Sequence, residues 1–392
     1  MIDAIDMAAP PIAGLRFRHY RGEEDLPAMI VVYSAAHEGD GLEDVLTLEQ
    51  AKLNYATLVN CDPARDIVLA EVDGIVVAYS RVFWQDLVEG GRSYECFGFV
   101  HPDWRHRGIG AAMLRHNEAR LGEIAAAHPG VEPKWLASEG ADSDRGNVAL
   151  LTGAGYRPVR WFYDMVAPTL DGITAPPMPD GIELRPVTRG QYRRIWDAEA
   201  DAFRDHWGEA EWTPEDWERF DADPDNADPS LWRIGWDGDE VAGVVVTTVP
   251  AEENERYRRR RVYVATVSVR RPWRRRGLAR ALLARSLVAA REAGFTSASL
   301  GVDTDSPTGA TALYESLGFP ARAHVHRLPQ TPGAGCSGLE SRTEIVVSAA
   351  AAGRMSSPLQ GIYGRYSAGA AREGIRRWGL DQRPAVTRSR VS

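Results

Sequence analysis

The sequence predicts an α/β (α+β) fold with two domains, each a mixed, mostly antiparallel central sheet flanked by helices. Three observations support this fold class. The chain has 392 residues, enough for two domains of ordinary size that each bury a core. Strand-like and helix-like segments alternate, with hairpin signals early in each half, which favours a mixed sheet. A set of short motifs also occurs once in each half, in the same order.

The first half opens with a strand, then two helices and a hairpin. Alternating or β-branched residues predict strands, whereas apolar residues three or four positions apart predict helices. Thr47 is suited to cap a helix, and Asp73-Gly74 is a strong hairpin signal. The predicted strands are Leu15–Tyr20, Asp66–Glu71, Ile75–Val82, Ser93–Val100, Trp135–Ser138 and Val159–Val166, and the predicted helices are Leu26–Ala36, Thr47–Val59, one ending near Ala127, and Gly146–Thr152.

The second half repeats this order. Pro214 after Thr213 favours a helix start, and Asp237-Gly238-Asp239 predicts a hairpin. The predicted elements are strands Ile182–Val187, Leu231–Trp236 and Glu240–Val249 and helices Gln191–Phe203 and Pro214–Phe220. The four-arginine run Arg258–Arg261 is interpreted as a solvated turn, with contact to a phosphate or an acidic substrate as the alternative.

The stretch from Val262 to Ala290 is the centre of the second half. β-Branched and small residues suit a buried strand, Pro272 ends its pairing, and apolar or small residues then recur at helical spacing. This order of strand, basic glycine-containing turn and helix points backbone N–H groups and the helix dipole at one place, where they can hold an anion. Neither GxGxxG nor a Walker GK[ST] loop is present, so the stretch is predicted to hold a pyrophosphate in another way.

The same turn occurs in the first half. Three short motifs occur in the same order in both halves, with only the lengths of the intervening loops differing, which indicates that one structural unit is present twice. The matching motifs are Arg105-His-Arg-Gly108-Ile-Gly110 with Arg274-Arg-Arg-Gly277-Leu-Ala279, Gly155-Tyr156 with Gly318-Phe319, and Val77-Ala78 with Val241-Ala242.

Composition shifts give the predicted domain boundaries. Four prolines in residues 167–181 predict an extended, stiff connector. The segment after residue 328 is rich in Ala, Gly, Ser and Arg and lacks a sustained apolar period. The predicted division is a leader (1–14), a first domain (15–166), the connector (167–181), a second domain (182–328) and a disordered or atypical tail (329–392).

Composition also excludes several classes of protein. A net charge of −9 argues against a nucleic-acid-binding protein with a generally basic surface. No apolar run approaches the ~20 residues of a membrane span, and the N-terminus lacks the pattern of a signal peptide. Three widely spaced cysteines indicate neither a disulfide framework nor a metal site. We therefore expect a cytoplasmic monomer or homodimer with no metal, nucleic-acid or membrane partner.

The pattern R-x-x-G-x-A between a strand and a helix resembles the acyl-CoA-binding motif of the GNAT acetyltransferase family. SPTGATALYESLGF, residues 306–319, resembles the helix and closing strand that follow in this family, with Ser306 where Asn is usual. The tandem arrangement is similar to that of mycothiol synthase-like two-domain acetyltransferases, and the resemblance covers residues 15–166 and 182–327. It implies acetyl-CoA as co-substrate and transfer of its acetyl group to the primary amine of a small molecule.

The resemblance also implies site residues. Tyr314 stands where the family has the acid that protonates the leaving thiolate. The strand before the turn would pair with the pantetheine amides and supply an N–H to the oxyanion. The implied acyl-CoA residues of the second domain are Val267, Ser268, Val269, Arg274, Arg275, Arg276, Gly277, Leu278, Ala279 and Arg280. Those of the first domain are Gly98, Phe99, Val100, Arg105, His106, Arg107, Gly108, Ile109 and Gly110.

The two copies differ at the position of the acid, because Leu151 lines up with Tyr314. We therefore predict that the second domain is catalytic and that the first is catalytically degenerate: it binds CoA, binds nothing, or shapes the acceptor site. Alternatives for the whole chain are an acyl-CoA-binding pseudoenzyme or sensor and, less favoured, a nucleic-acid-binding module.

The general base and the acceptor cannot be identified from the sequence. Glu252, Glu253 and Glu255 precede the central strand, but such a cluster more often lies in a solvated loop, and a water chain can serve instead. Six tryptophans crowd the start of the second domain, mostly as predicted core. Asp201 and Asp205, with His206, lie nearby and are candidates to recognise a cationic amine.

Overall fold

The computed structural model describes residues 5–206, 208–304 and 309–320 and the backbone of 345–346. The first half forms a five-stranded sheet in the order β1-β2-β3-β4-β5, antiparallel except for the parallel pair β4–β5. Its strands are β1 (Leu15–His19), β2 (Ile67–Val72), β3 (Ile75–Asp86), β4 (Arg92–Val100) and β5 (Lys134–Ser138). Its helices are α1 (Leu26–Asp40), α2 (Leu48–Ala56), α3 (Pro63–Asp66), α4 (Ile109–Ala126) and α5 (Arg145–Gly153), and the short strand β6 (Pro158–Arg160) follows.

The second sheet has six strands in the order β7-β12-β11-β10-β9-β8 and is antiparallel except for β11–β12. Its strands are β7 (Phe162–Ala167), β8 (Glu183–Leu184), β9 (Arg233–Asp237), β10 (Glu240–Thr248), β11 (Arg261–Val269) and β12 (Ser297–Asp303). Its helices are α6 (Tyr192–Phe203), α7 (Pro214–Ala222), α8 (Ala251–Arg256), α9 (Leu278–Glu292) and α10 (Ala310–Glu315). A two-residue strand, β13 (Ile345–Val346), pairs with β6. The predicted fold class is confirmed.

Each sheet lies between two helical layers, as strand periodicity requires. In β2, Val68 packs towards α4 whereas Leu69 packs towards α1. In the second sheet, Val264 faces α9 and Val244 faces α6. Strands buried on both faces carry almost continuous apolar runs, which is why their period-two pattern is weak in the sequence.

One strand leaves the first domain. β7 forms six antiparallel pairs with β12, from Ala298–Ala167 to Asp303–Phe162, and Met165 is fully buried in the core of the second domain. The sequence predicts one strand, Val159–Val166, at the end of the first domain. The structure instead divides this region into β6 and β7 and pairs β7 with the second sheet. Burial of apolar residues opposite β12 gives the reason, because periodicity identifies a strand but does not identify its neighbour.

The connector 167–181 is packed along the second domain. Leu170 is buried in its core, and Arg291 Nη1 donates hydrogen bonds to the carbonyls of Leu170 (3.2 Å) and Ile173 (3.0 Å). The described part of the leader, residues 5–14, packs in the same way on the first domain, where Ile5 N donates to Phe17 O at 2.9 Å. The predicted tail lies outside the described residues, except for the backbone of β13.

The two domains contact each other through equivalent loops. The α1–α2 loop of the first domain reaches the second domain near β11, where Arg261 Nη1 lies 3.1 Å from Glu43 Oε2. The hairpin after β3 reaches the α6–α7 loop, where Val88 N donates to Glu209 O at 2.8 Å. These contacts place the face of the second sheet that carries α6 against the first domain.

Candidate active site

The two parallel strand pairs separate part of the way along. β11 pairs with β12 only over three positions, Arg261–Tyr263, although β11 continues to Val269. Val267 to Val269 keep their ladder with β10, but their other edge has no strand partner among the described residues. β4 and β5 separate likewise after Cys96, which frees the edge of Phe97–Val100. Such an edge can pair with the amides of an extended ligand.

The turn after each separated strand has the same backbone in both domains. His106 (φ 59°) and Arg275 (φ 64°) are left-handed, and so are Gly108 (φ 88°) and Gly277 (φ 80°), the residues that precede α4 and α9. Neither helix has a side-chain cap, so its first N–H groups are available to a ligand. Successive left-handed and helical residues form an anion-binding concavity at a helix N-terminus.

The first arginine of each motif holds the turn in shape. In the second domain, Arg274 Nε donates to Val269 O (2.9 Å), and its Nη atoms contact Asp205 (2.6 Å) and Ala202 O (3.0 Å).

Arg105 makes the equivalent contacts in the first domain, with Val100 O (3.1 Å), Asp40 (2.6 and 2.7 Å) and Ala36 O (3.4 Å). Both guanidinium groups are therefore directed to protein acceptors, and a direct contact with CoA stays a prediction for Arg105 and Arg274.

The other predicted arginines of the second turn differ in their surroundings. Arg276 Nη2 donates to Asp180 O at 2.7 Å, and Arg280 Nη1 donates to Ser316 Oγ at 2.8 Å. Arg275 is exposed, as is Arg107 of the first domain, whose guanidinium lies 4.7 Å from the ring centroid of Trp104. These side chains lie around the turns, and their role towards a phosphate is untested.

The remaining predicted residues contribute backbone or small surfaces. The side chains of Leu278 and Ile109 are buried beneath the sheets at 2% and 1% exposure, so only their main chains border the turn. Ala279 and Gly110 follow them at the start of α9 and α4. A Cβ on Gly110 would lie 3.4 Å from Leu150 and 3.7 Å from Val100, in ordinary contact.

The separated strands of the first domain border a cavity of 380 Å³. Gly98, Phe99, Val100 and Gly108 line it, which brings together strand and turn residues predicted to bind CoA. Leu151, at the position of the acid, also lines the cavity. The first domain thus has room for a ligand but no hydroxyl at this position.

Tyr314 lies on α10 and is buried, with its ring centroid 6.2 Å from that of Phe319. It packs in the same core cluster as the apolar face of α9. Ser306 lies outside the described residues, in the gap 305–308. Proton donation by Tyr314 stays a prediction.

β11 has an irregularity that β4 lacks. Val246 pairs with Thr266 and Thr247 pairs with Val264, so Ala265 is an extra residue on β11. β4 pairs with β3 without a shift over its whole length. A bulge removes main-chain groups from the ladder and is common beside active sites. The second domain therefore has a bulge in its central strand beside the separated strands, and the first domain does not.

The structure resolves the three glutamates before β11. Glu252 and Glu255 are exposed, as expected for a solvated loop, but Glu253 is 2% exposed. Arg259 Nη2 donates to Glu253 Oε2 at 3.0 Å, whereas Glu253 Oε1 is buried without a hydrogen-bond partner among the described residues. Burial raises the pKa of Glu253 to about 7. Sequence reasoning missed this because the three glutamates look alike in the sequence, and no local pattern encodes which of them is buried.

The acidic candidates near α6 are engaged by arginines. Arg270 Nε donates to Asp201 at 2.7 Å, and both Arg271 and Arg274 pair with Asp205. The hydrogen bond from Arg271 is the largest cause that lowers the pKa of Asp205 to about 2. These two carboxylates therefore hold the arginines around the turn, and recognition of an amine by either of them stays a prediction.

The described residues also bear on two other classes of site. They contain no group of three or more His, Cys, Asp or Glu residues placed to hold a metal ion. None of their helices combines the length and the apolar character needed to cross a membrane.

Comparison with known proteins agrees with this geometry. The model of the acetyltransferase (GNAT) family matches residues 32–153 and 192–319. A mycothiol acetyltransferase of Geodermatophilus obscurus is 30% identical over 305 residues, which cover 76% of this chain and 91% of that protein. A GCN5-related N-acetyltransferase from Sphaerobacter thermophilus has a TM-score of 0.60 and 27% identity, covering 82% of this chain and 95% of that one.

A tandem GNAT protein from the clavulanic acid biosynthesis pathway shares the fold at 16% identity, with a TM-score of 0.55 and coverage of 79% of this chain and 96% of that one. The repeated motifs, the two separated strand pairs and these matches together show that the chain belongs to the GNAT acetyltransferase family and contains two copies of its domain.

Proposed function

We propose that the protein is an acetyl-CoA-dependent N-acetyltransferase and that its second domain transfers the acetyl group to the primary amine of a small molecule. The observation that carries this proposal is the separation of β11 from β12, followed at once by the uncapped N-terminus of α9. A free strand edge and an anion-binding helix start are aligned there as a pantetheine arm and a pyrophosphate would need.

The bulge at Ala265 gives a reason to assign the chemistry to the second domain. Its main-chain groups lie outside the β10–β11 ladder, so an N–H at this position is available to a developing oxyanion. In the first domain β4 is regular and the acid position is Leu151. We therefore assign carrier binding to the scaffold of both domains and turnover to the second.

The proposed reaction balances as follows. The acceptor ammonium loses one proton to a base, and the free nitrogen attacks the thioester carbonyl carbon to form the C–N bond. The tetrahedral intermediate collapses with cleavage of the C–S bond. Tyr314 gives its hydroxyl proton to the CoA thiolate, and the second proton of the nitrogen restores the tyrosine. The products are an acetamide, CoA thiol and one released proton.

Several relatives are mycothiol acetyltransferases. The amine that those enzymes acetylate therefore belongs in the panel of acceptors to be tested. We also propose a cytoplasmic location, since acetyl-CoA is the expected donor.

The test is to incubate the full chain with acetyl-CoA and a panel of amines, and to follow acetylated products by mass and free CoA thiol by absorbance. We expect one or more amines to be acetylated. Tight binding of acetyl-CoA without turnover of any amine would instead support the pseudoenzyme alternative. Binding to DNA with a steep dependence on salt would support the nucleic-acid-binding alternative.

A further inference from the structure

The inner end of the first-domain cavity is polar but uncharged. Asn117 lines the cavity from α4 and is only 4% exposed, and its Oδ1 accepts a hydrogen bond from Ser80 Oγ at 3.1 Å. The amide nitrogen of Asn117 has no hydrogen-bond partner among the described residues. Cys96 also lines the cavity, and burial raises the pKa of its thiol to about 12, so the thiol is neutral at pH 7. The cavity therefore offers an unused amide donor to an uncharged ligand.

The equivalent position of the second domain is already satisfied. Ser286 of α9 lines up with Asn117 of α4 when the two turn motifs are superimposed in sequence. Its Oγ lies 2.7 Å from Leu231 O and 2.8 Å from Thr247 Oγ1. The free donor is thus a feature of the first domain, where the polar group it needs has to come from a ligand.

The turns beside the two sites differ strongly in charge. Residues 270–280 contain six arginines and no acidic residue, whereas the aligned residues 101–111 contain two arginines and one aspartate. In the second turn, Arg275, Arg276 and Arg280 have no carboxylate partner among the described residues. Arginines without a carboxylate partner are suited to bind phosphate, so the second turn matches the phosphates of CoA much better than the first does.

An additional carboxylate lies at the first turn. Asp144 lines the cavity and caps α5, where its Oδ1 accepts a hydrogen bond from Asn147 N at 3.0 Å. The hydrogen bonds to Asp40, and then the charge of Asp144, raise the pKa of Arg105, so two carboxylates act on this guanidinium. The second domain has Pro307 at the position that lines up with Asp144. A phosphate at the first turn would therefore be repelled by a carboxylate that the second turn lacks.

The first turn is also more crowded. A Cβ on Gly108 would lie 3.2 Å from Pro10 Cβ of the leader, whereas a Cβ on Gly277 would have no described atom within 4 Å. His106 Cε1 lies 3.6 Å from the position of a Cβ on Gly146, at the start of α5. The first turn thus keeps the backbone of the second but has less positive charge and less space around it.

We propose that the first-domain cavity binds an extended, phosphate-free chain with secondary amides, of the pantetheine type, and that it does not bind CoA. This inference rests on the proposed function, because it takes the second turn as the acetyl-CoA site. The free edge of Phe97–Val100 would pair with the amides of the chain, and Asn117 would donate a hydrogen bond to its inner end. The cavity volume of 380 Å³ suits such an arm, since small-molecule sites span about 300–1,000 Å³.

The test measures binding to the full chain by calorimetry, with acetyl-CoA and with S-acetylpantetheine as the phosphate-free probe. S-acetylpantetheine is titrated into the chain after saturation with acetyl-CoA, which occupies the second-domain site. Thermal unfolding shows that each variant is folded, and acetyl transfer to the amine panel is measured separately.

Three variants and one control address the first domain. Asn117→Leu removes the amide donor at nearly constant volume. Asp144→Asn with Ala111→Arg removes the additional carboxylate, keeps a good helix cap and places an arginine where the second turn has Arg280. Gly277→Glu blocks the second turn. Glu24→Gln is the control, because it changes an exposed carboxylate of the first domain that does not line the cavity.

We expect one acetyl-CoA site per wild-type chain, and we expect Gly277→Glu to lose it. S-acetylpantetheine should bind to the acetyl-CoA-saturated chain at one further site, and Asn117→Leu should weaken this binding about 10-fold. The combined change Asp144→Asn and Ala111→Arg should create a second acetyl-CoA site. Glu24→Gln should match the wild type in every measurement.

The outcomes separate this inference from the proposed function. Two acetyl-CoA sites in the wild type, or no binding of S-acetylpantetheine to the saturated chain, would overturn the inference while acetyl transfer to an amine still supports the proposed function. The expected binding pattern without acetyl transfer to any amine would support the inference and overturn the proposed function. A single acetyl-CoA site that is kept in Gly277→Glu would overturn both.

Discussion

The two domains share a scaffold for an acyl carrier but differ in the groups that would carry out chemistry. Both turns have the same left-handed positions and are held by an arginine through the same kinds of contact, to a strand carbonyl, an aspartate and a helix carbonyl. Only the second domain has a bulge in the central strand and a tyrosine at the position proposed for the acid. The comparison shows that backbone geometry persists in a copy after the positions for chemistry have changed.

The largest effect is expected from Gly277→Glu, compared with Gly108→Glu. Both glycines are left-handed, so the backbone strain is similar, but only Gly277 lies at the start of the proposed catalytic cradle. A carboxylate there would displace a phosphate from N–H hydrogen bonds worth about 1.5–3 kcal/mol each, so kcat/KM should fall roughly 10³-fold. Turnover assays with calorimetric CoA titrations would check this.

Gly108→Glu should leave turnover within about twofold when the thermal unfolding curve shows a folded protein. A folded Gly108→Glu variant without activity, beside an active Gly277→Glu variant, would reverse the assignment of the catalytic domain.

Tyr314→Phe is expected to lower kcat by on the order of 10²-fold with little change in CoA affinity, because a positioned acid typically contributes about 10²–10⁴ in rate. Leu151→Met is the matched change in the first domain and conserves volume at a buried position that lines the cavity. It should turn over like the wild type. Normal turnover by Tyr314→Phe would remove the main chemical difference between the domains.

Glu253→Gln should change the dependence of stability on pH. Because burial raises the pKa of Glu253 from 4.5 to about 7, the folded protein holds a proton there that the unfolded chain releases above pH 4.5. The free energy of unfolding of the wild type should therefore fall as pH rises from 4.5 to 7, by about 2 kcal/mol from this group. In thermal melts, the melting temperature of Glu253→Gln relative to that of the wild type should be higher at pH 8 than at pH 5.

The matched control for this pH effect is Glu252→Gln, which changes an exposed glutamate on the same helix. The difference in melting temperature between this variant and the wild type should be the same at pH 5 and pH 8. An equal pH dependence in the wild type and in Glu253→Gln would contradict the buried, proton-holding state of Glu253.

The smallest effect is expected from Arg105→Met and Arg274→Met. Each loses a partly buried ion pair and a hydrogen bond to a strand carbonyl, so each should lower the free energy of unfolding by about 1–2 kcal/mol. Loss of Arg274 should also weaken the binding of CoA at the turn of the second domain, so only Arg274→Met should reduce turnover. Equal losses of turnover in both variants would indicate that the first turn also serves catalysis.

The sequence was informative where the signal is local. Glycine spacing, the proline after the central strand and helical periodicity predicted the turn at Arg274–Ala279, and the Thr47 cap is confirmed by a reciprocal pair of hydrogen bonds with Gln50. These features depend on a few neighbouring residues. They therefore appear in the sequence much as they appear in the fold.

Features that depend on distant partners were not predicted. β7 has an ordinary strand pattern, and only its pairing with residues more than 100 positions later shows which sheet it completes. Glu253 lies among three similar glutamates, and only the tertiary fold distinguishes it by burying it. A single sequence contains no signal for such contacts.

The crossing of β7 has a consequence for how this chain can be divided. A fragment that begins at the sequence boundary, residue 182, would lack the strand beside β12 and would expose an unpaired edge and the apolar surface around Leu300. A stable second-domain fragment must begin before Phe162, within what the repeat assigns to the first domain. The order of synthesis matters as well, since β7 emerges about 130 residues before its partner β12, so the second sheet can be completed only after β12 has been synthesised.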